Sequence, residues 1–277
     1  MQEHLPIVRQ QTGPATAGVE AVGLIVPPSN PTLEQEIASL LDGLPQIHVA
    51  RLPYCPERDL AARNELYLDR TLETARSFGT LPLQGILVGC TGSNYRLGPQ
   101  EDQRLCDAAA VELGVPLVTA SLAVLETIRS LGFTRIQLEL PYPEWLITLA
   151  VDYWQAAGLE VVSQHSLLDY MNADNSYTVG SQELERYLQQ LQVPADTAIL
   201  LSGTGMPTVE AMADLIQTYP APLISSNLCI AQWLLGRCQN SRGTNLQRQL
   251  QAKLERFSTA PSMAATDNLF NPFGSLS

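Results

Sequence analysis

The segment GILVGCTGSNY, Gly85 to Tyr95, runs a short apolar stretch into a turn of glycines and hydroxyls. The chain writes it again as AILLSGTGMPT, Ala198 to Thr208. Such a run closed by Gly, Ser and Thr reads as a buried strand entering a tight turn. In the first copy Cys90 stands at the carboxyl end of the strand, and in the second Gly203 takes that slot. Ligands of open α/β sheets bind at these ends, so a thiol beside turn amides is placed to act as nucleophile or acid.

Outward from these turns, strand-like runs recur at 22–26, 116–120, 135–140, 159–163 and 222–226, with amphipathic stretches such as TLEQEIASLLDGL and TVEAMADLIQTY between them. That alternation predicts an α/β fold with mostly parallel sheets. The order of elements also repeats. An opening at Val22 leads to the Cys90 strand, and a second at Arg135 leads to the Gly203 strand. Two pseudo-symmetric, Rossmann-like lobes follow, the first at 18–118 plus 223–256 and the second at 119–222, with both turns facing one interlobe cleft. Residues 257–277, rich in Ser, Pro, Asn and Gly, read as a disordered tail.

Composition removes several classes of chemistry. The 277 residues are 45% hydrophobic and 16% charged, with a net charge of −12, which argues against nucleic-acid and anionic-membrane partners. An anionic substrate must therefore be held by local donors. The segment MQEHLPIVRQQTGPATAG lacks a basic stretch followed by an apolar core, and no run approaches about 18 apolar residues, so a cytoplasmic protein is expected. Five cysteines without a CxxC pair read as reduced thiols, and three scattered histidines show no metal-ligand spacing. Lys253 is the sole lysine and lies in a polar helix, which disfavours Schiff-base and pyridoxal phosphate chemistry. No cofactor or metal is expected.

In VPPSNPTLEQE, Asn30 suits an N-cap and Pro31 the first helical position. Alternatively, Ser29 and Asn30 point donors into the cleft beside free helix amides, where a carboxylate would bind. In GCTGSNY, Thr91, Gly92 and Ser93 build a turn whose amides and hydroxyls can hold an oxyanion or a thiolate. Cys106, Cys229 and Cys238 read as buried small hydrophobes. Tyr142, between two prolines in PYPEW, is either a rigid neutral donor for a carboxylate or enolate oxygen, or an aromatic lid. Gly203 and Thr204 in SGTG form a second small anion-binding turn.

Taken in order, VPPSNPTLEQE, GCTGS, TASLAVLETIRSLGFTRIQLELPY, SGTG and PLISSNLCIAQW resemble the maleate isomerase and arylmalonate decarboxylase branch of the aspartate/glutamate racemase superfamily, over roughly residues 22–236. The resemblance implies two pseudo-symmetric lobes, a site between them, and cofactor-free chemistry on small acids. It places Cys90 at the first family cysteine, with Thr91 in the oxyanion turn. Asn30 matches a carboxylate-binding Asn, Tyr142 a donor to substrate oxygen, and Asn175 a second substrate-binding Asn. Relatives of this kind are often dimers or tetramers, which implies a homo-oligomer.

Gly203 departs from the pattern, because racemases and isomerases of the family place their second cysteine there. Two-base racemisation needs a donor and an acceptor on opposite faces of one carbon, so a single thiol disfavours it. Two reactions suit one thiol. Cys90 can add to a cis-unsaturated diacid such as maleate and leave after bond rotation, or it can protonate the enediolate formed when a malonate-type acid loses CO₂. Matching residues favour the isomerase. A small-carboxylate binding protein with reduced catalytic equipment is the third reading.

Overall fold

The computed structural model describes residues 20–43 and 45–258. The first half runs β1 (Ala21–Val26), α1 (Leu33–Leu40), β2 (Gln46–Arg51), α2 (Leu60–Arg76), β3 (Leu83–Val88), α3 (Pro99–Leu113), β4 (Leu117–Thr119) and α4 (Ala120–Ser130). The second half runs β5 (Arg135–Leu140), α5 (Glu144–Ala156), β6 (Glu160–Ser166), α6 (Leu167–Met171), α7 (Ser181–Gln190), β7 (Ala198–Leu201), α8 (Val209–Leu215), β8 (Leu223–Ser225) and α9 (Ser226–Gly236). A last helix, α10, spans Asn245–Glu255.

Two four-stranded sheets result, in the orders β2-β1-β3-β4 and β6-β5-β7-β8, with every neighbouring pair parallel. Each strand of the first sheet thus has its counterpart in the second, and the repeat read from the turns is a repeat of architecture. Strand β1, AVGLIV, is buried along its whole length, as a central parallel strand covered on both faces must be. Equivalent caps start the two helices that follow the last strands. The Thr119 hydroxyl accepts from the Leu122 amide at α4, and the Ser225 hydroxyl accepts from the Leu228 amide at α9. These two helices, one from each half, pack on each other.

Strand β2, QIHVAR, was not among the expected runs. It is a half-exposed edge strand pairing with β1 alone, so its apolar residues are diluted by polar ones. Its counterpart β6 extends past the expected 163 to Ser166 for the same reason. Strand β8 hydrogen-bonds to β7, which carries the second sheet to Ser225 and moves the lobe boundary beyond the expected 222. The chain then returns to the first lobe through α9, which packs on α1, whereas α10 packs on α8 of the second. Among the described residues no helix is long and apolar enough to cross a membrane. The tail expected at 257–277 lies outside the described residues from 259 onward.

Candidate active site

The carboxyl ends of both sheets open onto one cavity of about 430 Å³, lined by the turns after β1, β3, β5 and β7. Ser29, Cys90, Thr91 and Gly92 reach it from the first lobe, and Tyr142, Asn175, Gly203 and Thr204 from the second. Asn30 is not among the lining residues. Its Oδ1 accepts from the amides of Thr32 and Leu33 at 3.0 Å each, and its Nδ2 donates across the cleft to Thr204 Oγ1 at 3.1 Å. Asn30 therefore caps the amides that enter α1 and ties the two lobes together, but Thr32 stands next to the first helical residue, Leu33, and Pro31, expected there, lies before the helix.

Cys90 is 8% exposed, at the mouth of its turn. Burial pushes its thiol above the ordinary cysteine range, while the Ser93 hydroxyl, the amides of Ser93 and Gly92, and the Arg63 charge pull it down. The donors expected around the thiol are present, and desolvation outweighs them. The Cys90 side chain is accordingly a thiol at neutral pH. Behind it a polar chain runs inward. Ser93 donates to Asn94 Oδ1 at 3.0 Å, and Asn94 Nδ2 donates to Asp102 Oδ1 at 2.8 Å. Asp102 is fully buried and also accepts from Thr119 and Tyr153, yet burial raises its carboxyl to about 6.

Facing the thiol's turn, the Tyr142 hydroxyl lies 2.6 Å from Thr91 Oγ1. Tyr142 is 8% exposed, and burial raises its phenol well above the ordinary tyrosine value. It stays neutral and able to donate. Two hydroxyls meet here at the cavity wall, with Ser202 and Tyr95 as further hydrogen-bond partners of the pair. The equivalent site in the second turn differs. Thr204 Oγ1 accepts from Asn30 and gives its proton to the Gly89 carbonyl at 2.9 Å.

Gly203 cannot readily carry a side chain. Its φ is +139°, and a Cβ placed there would stand 2.8 Å from Pro141 Cγ and 3.1 Å from Cδ of the same ring. The empty second slot is therefore closed by backbone conformation and by the proline before Tyr142. Beyond it, the Tyr177 ring lies over Gly205, in the space that a Cβ there would occupy. The loop carrying Tyr177 is braced by Asn175, whose Oδ1 accepts from the Tyr177 amide at 2.9 Å.

One wall was not foreseen. Helix α2 presents Leu60, Arg63, Asn64 and Tyr67 to the cavity, at the i, i+3, i+4, i+7 spacing of one helical face. Asn64 is 2% exposed and donates from Nδ2 to the Gly92 carbonyl at 3.3 Å, which fixes the Cys90 turn from behind. The signal lay in LAARNELY itself, where a cation interrupts an otherwise buried stripe.

The arylmalonate decarboxylase family model matches residues 22–249. A maleate isomerase from Geobacillus stearothermophilus is 26% identical over 222 residues, covering 74% of this chain and 86% of that protein. Among solved structures, the maleate isomerase of Pseudomonas putida S16 superposes with a TM-score of 0.70 at 22% identity, over 83% of this chain and 99% of that one. A Nocardia farcinica maleate cis-trans isomerase variant, solved with a covalently bound succinylcysteine intermediate, gives 0.68 at 20% identity, over 79% and 93% of the two chains. These likenesses establish the two-lobed fold, and the matched span covers both slot turns. The chain belongs to the arylmalonate decarboxylase family.

Proposed function

We propose that the protein is a cofactor-independent cis-trans isomerase of a small unsaturated dicarboxylate, maleate being the simplest, with Cys90 as nucleophile. The observation that carries this reading is a thiol, the one cysteine lining the cavity among the described residues, set in a turn of amides and hydroxyls. Relatives named maleate isomerases support it, as does the succinylcysteine captured in the Nocardia farcinica protein.

The Cys90 thiol first gives up its proton to solvent, and the thiolate adds to one alkene carbon. A C–S bond forms while the π pair moves onto the adjoining carboxylate as an enediolate. The former double bond is now single and rotates. The enediolate then collapses, the C–S bond breaks, and the trans diacid leaves with no atom gained or lost. In this proposal the Thr91–Tyr142 pair, which lines the cavity, turns a hydroxyl proton to the enediolate oxygen, a contact stronger in the intermediate than in the substrate. Ser29, Gly92, Asn175 and Thr204 complete the substrate surface in this proposal.

One observation favours decarboxylation instead. Burial keeps Cys90 protonated near neutral pH, which suits a group that donates one proton to an enediolate after CO₂ leaves. Incubation with maleate and with phenylmalonate, following fumarate and CO₂ separately beside a Cys90→Ala control, decides between them. Fumarate from maleate supports the isomerase, and CO₂ from phenylmalonate supports the decarboxylase. Turnover of neither, or turnover undiminished by the substitution, overturns both. A cytoplasmic location and a homo-oligomeric assembly belong to the same proposal.

A further inference from the structure

Helix α2 carries several charged side chains, and most are paired. Glu65 pairs with Arg96, Arg70 with Glu73, and Arg76 with Glu112. Arg63 is different. Among the described residues it forms no ion pair, and its Nε is buried without an acceptor. Among the described residues it is also the one lysine or arginine lining the cavity. Asp174, the carboxylate in the lining, is exposed on the loop after α6, and no ion pair joins the two.

A guanidinium is always charged and offers a planar fork of donors matched to a carboxylate. Leaving such a donor unsatisfied is unfavourable, so its place beside a cavity points to an anionic ligand. The protein's net charge of −12 offers a dianion no help at long range, which leaves the task to a local cation.

We infer that Arg63 binds the second carboxylate of the substrate and makes the cleft selective for small acids that keep both carboxylates through the reaction. This rests on the isomerase reading of the same site and sharpens it. Loss of CO₂ is favoured when the departing carboxylate sits in apolar, water-poor surroundings and its charge disperses as the C–C bond breaks. A guanidinium fork holds that charge in place and opposes the step. Isomerisation leaves the carboxylate intact from substrate to product, so the Arg63 contact contributes equally to ground and transition states.

The test uses Arg63→Met and Arg63→Lys. Losing a uniform contact raises KM with kcat nearly unchanged. For Arg63→Met the KM for maleate should rise about 10- to 100-fold, the range for losing one charge-assisted contact, with kcat within about threefold and partial rescue in Arg63→Lys. A second readout needs no turnover: alkylation of Cys90 by iodoacetate against iodoacetamide, read on the Cys90 peptide. The anionic reagent should lose about tenfold of its relative rate in Arg63→Met and regain most of it in Arg63→Lys. If the wild type turns over no maleate, the isomerase reading fails, and the alkylation ratio still decides the role of Arg63. A KM within about twofold of wild type overturns the inference, as does an alkylation ratio unmoved by Arg63→Met.

Discussion

The Tyr142 hydroxyl stands 2.6 Å from Thr91 Oγ1, joining the first-strand turn of the second lobe to the slot turn of the first. The mirror contact, Asn30 to Thr204, occupies the equivalent place, but there the threonine proton goes to the Gly89 carbonyl. One half of the pseudo-symmetric centre sets two paired hydroxyls in the cavity wall. The other is consumed in holding the lobes together.

Tyr142→Phe should therefore lower kcat by about 10²- to 10³-fold, as loss of an oxyanion donor does, while the melting temperature stays close to wild type. Asn30→Ala should act on stability, costing roughly 1–2 kcal/mol as a lost helix cap does. Steady-state kinetics beside thermal unfolding of both variants check the contrast.

Restoring a second thiol should fail. Gly203→Cys must place a Cβ against Pro141 at a φ of +139°, and is expected to cost about 1–3 kcal/mol. A lowered melting temperature with no racemase activity is the expected outcome. A variant as stable as wild type would show that the slot is open.

The pH profile separates the two roles of Cys90. Its folded-state pKa is raised by burial, so the thiol form dominates at neutral pH. An isomerase, which needs the thiolate, should show kcat/KM rising as pH rises toward that pKa. A decarboxylase, which needs the thiol, should lose activity over the same interval. Initial rates across the alkaline range, with fumarate or CO₂ as the readout, give the sign directly.

Asp102 gives a prediction about stability. Burial raises its carboxyl from the ordinary aspartate value to about 6, so the folded state holds its proton more tightly than the unfolded one. The stability it adds is fully present below the unfolded value and is lost as pH rises through about 6. Urea unfolding should show a loss on the order of 3 kcal/mol across that window, much reduced in Asp102→Asn. Glu36, buried between the lobes and raised in the same direction, remains in both proteins and cancels in the comparison.

Much of this was legible because parallel strands buried on both faces are short apolar runs, and because their ends are marked by glycine and hydroxyl turns. Cys90, Thr91, Tyr142 and Gly203 all lie in such turns and meet in one cavity. Strand β2 escaped notice because an edge strand half open to water carries no such run. Asn30 was legible as a cap, but its contact across to Thr204 depends on the packing of two distant segments. The α2 wall was hidden for another reason. A helix face is spread over eight residues, from Leu60 to Tyr67, and an arginine within it looks like any solvated charge until the cavity is seen.

In the proposed isomerisation Cys90 forms a bond to substrate carbon. Brief reaction with maleate, an acid quench and peptide mass spectrometry test it most directly. The account predicts a succinyl adduct on the Cys90 peptide of the wild type, fumarate in solution, and neither in Cys90→Ala. Fumarate formed at an undiminished rate by Cys90→Ala, or an adduct carried by Cys55 or Cys238 in place of Cys90, would contradict it.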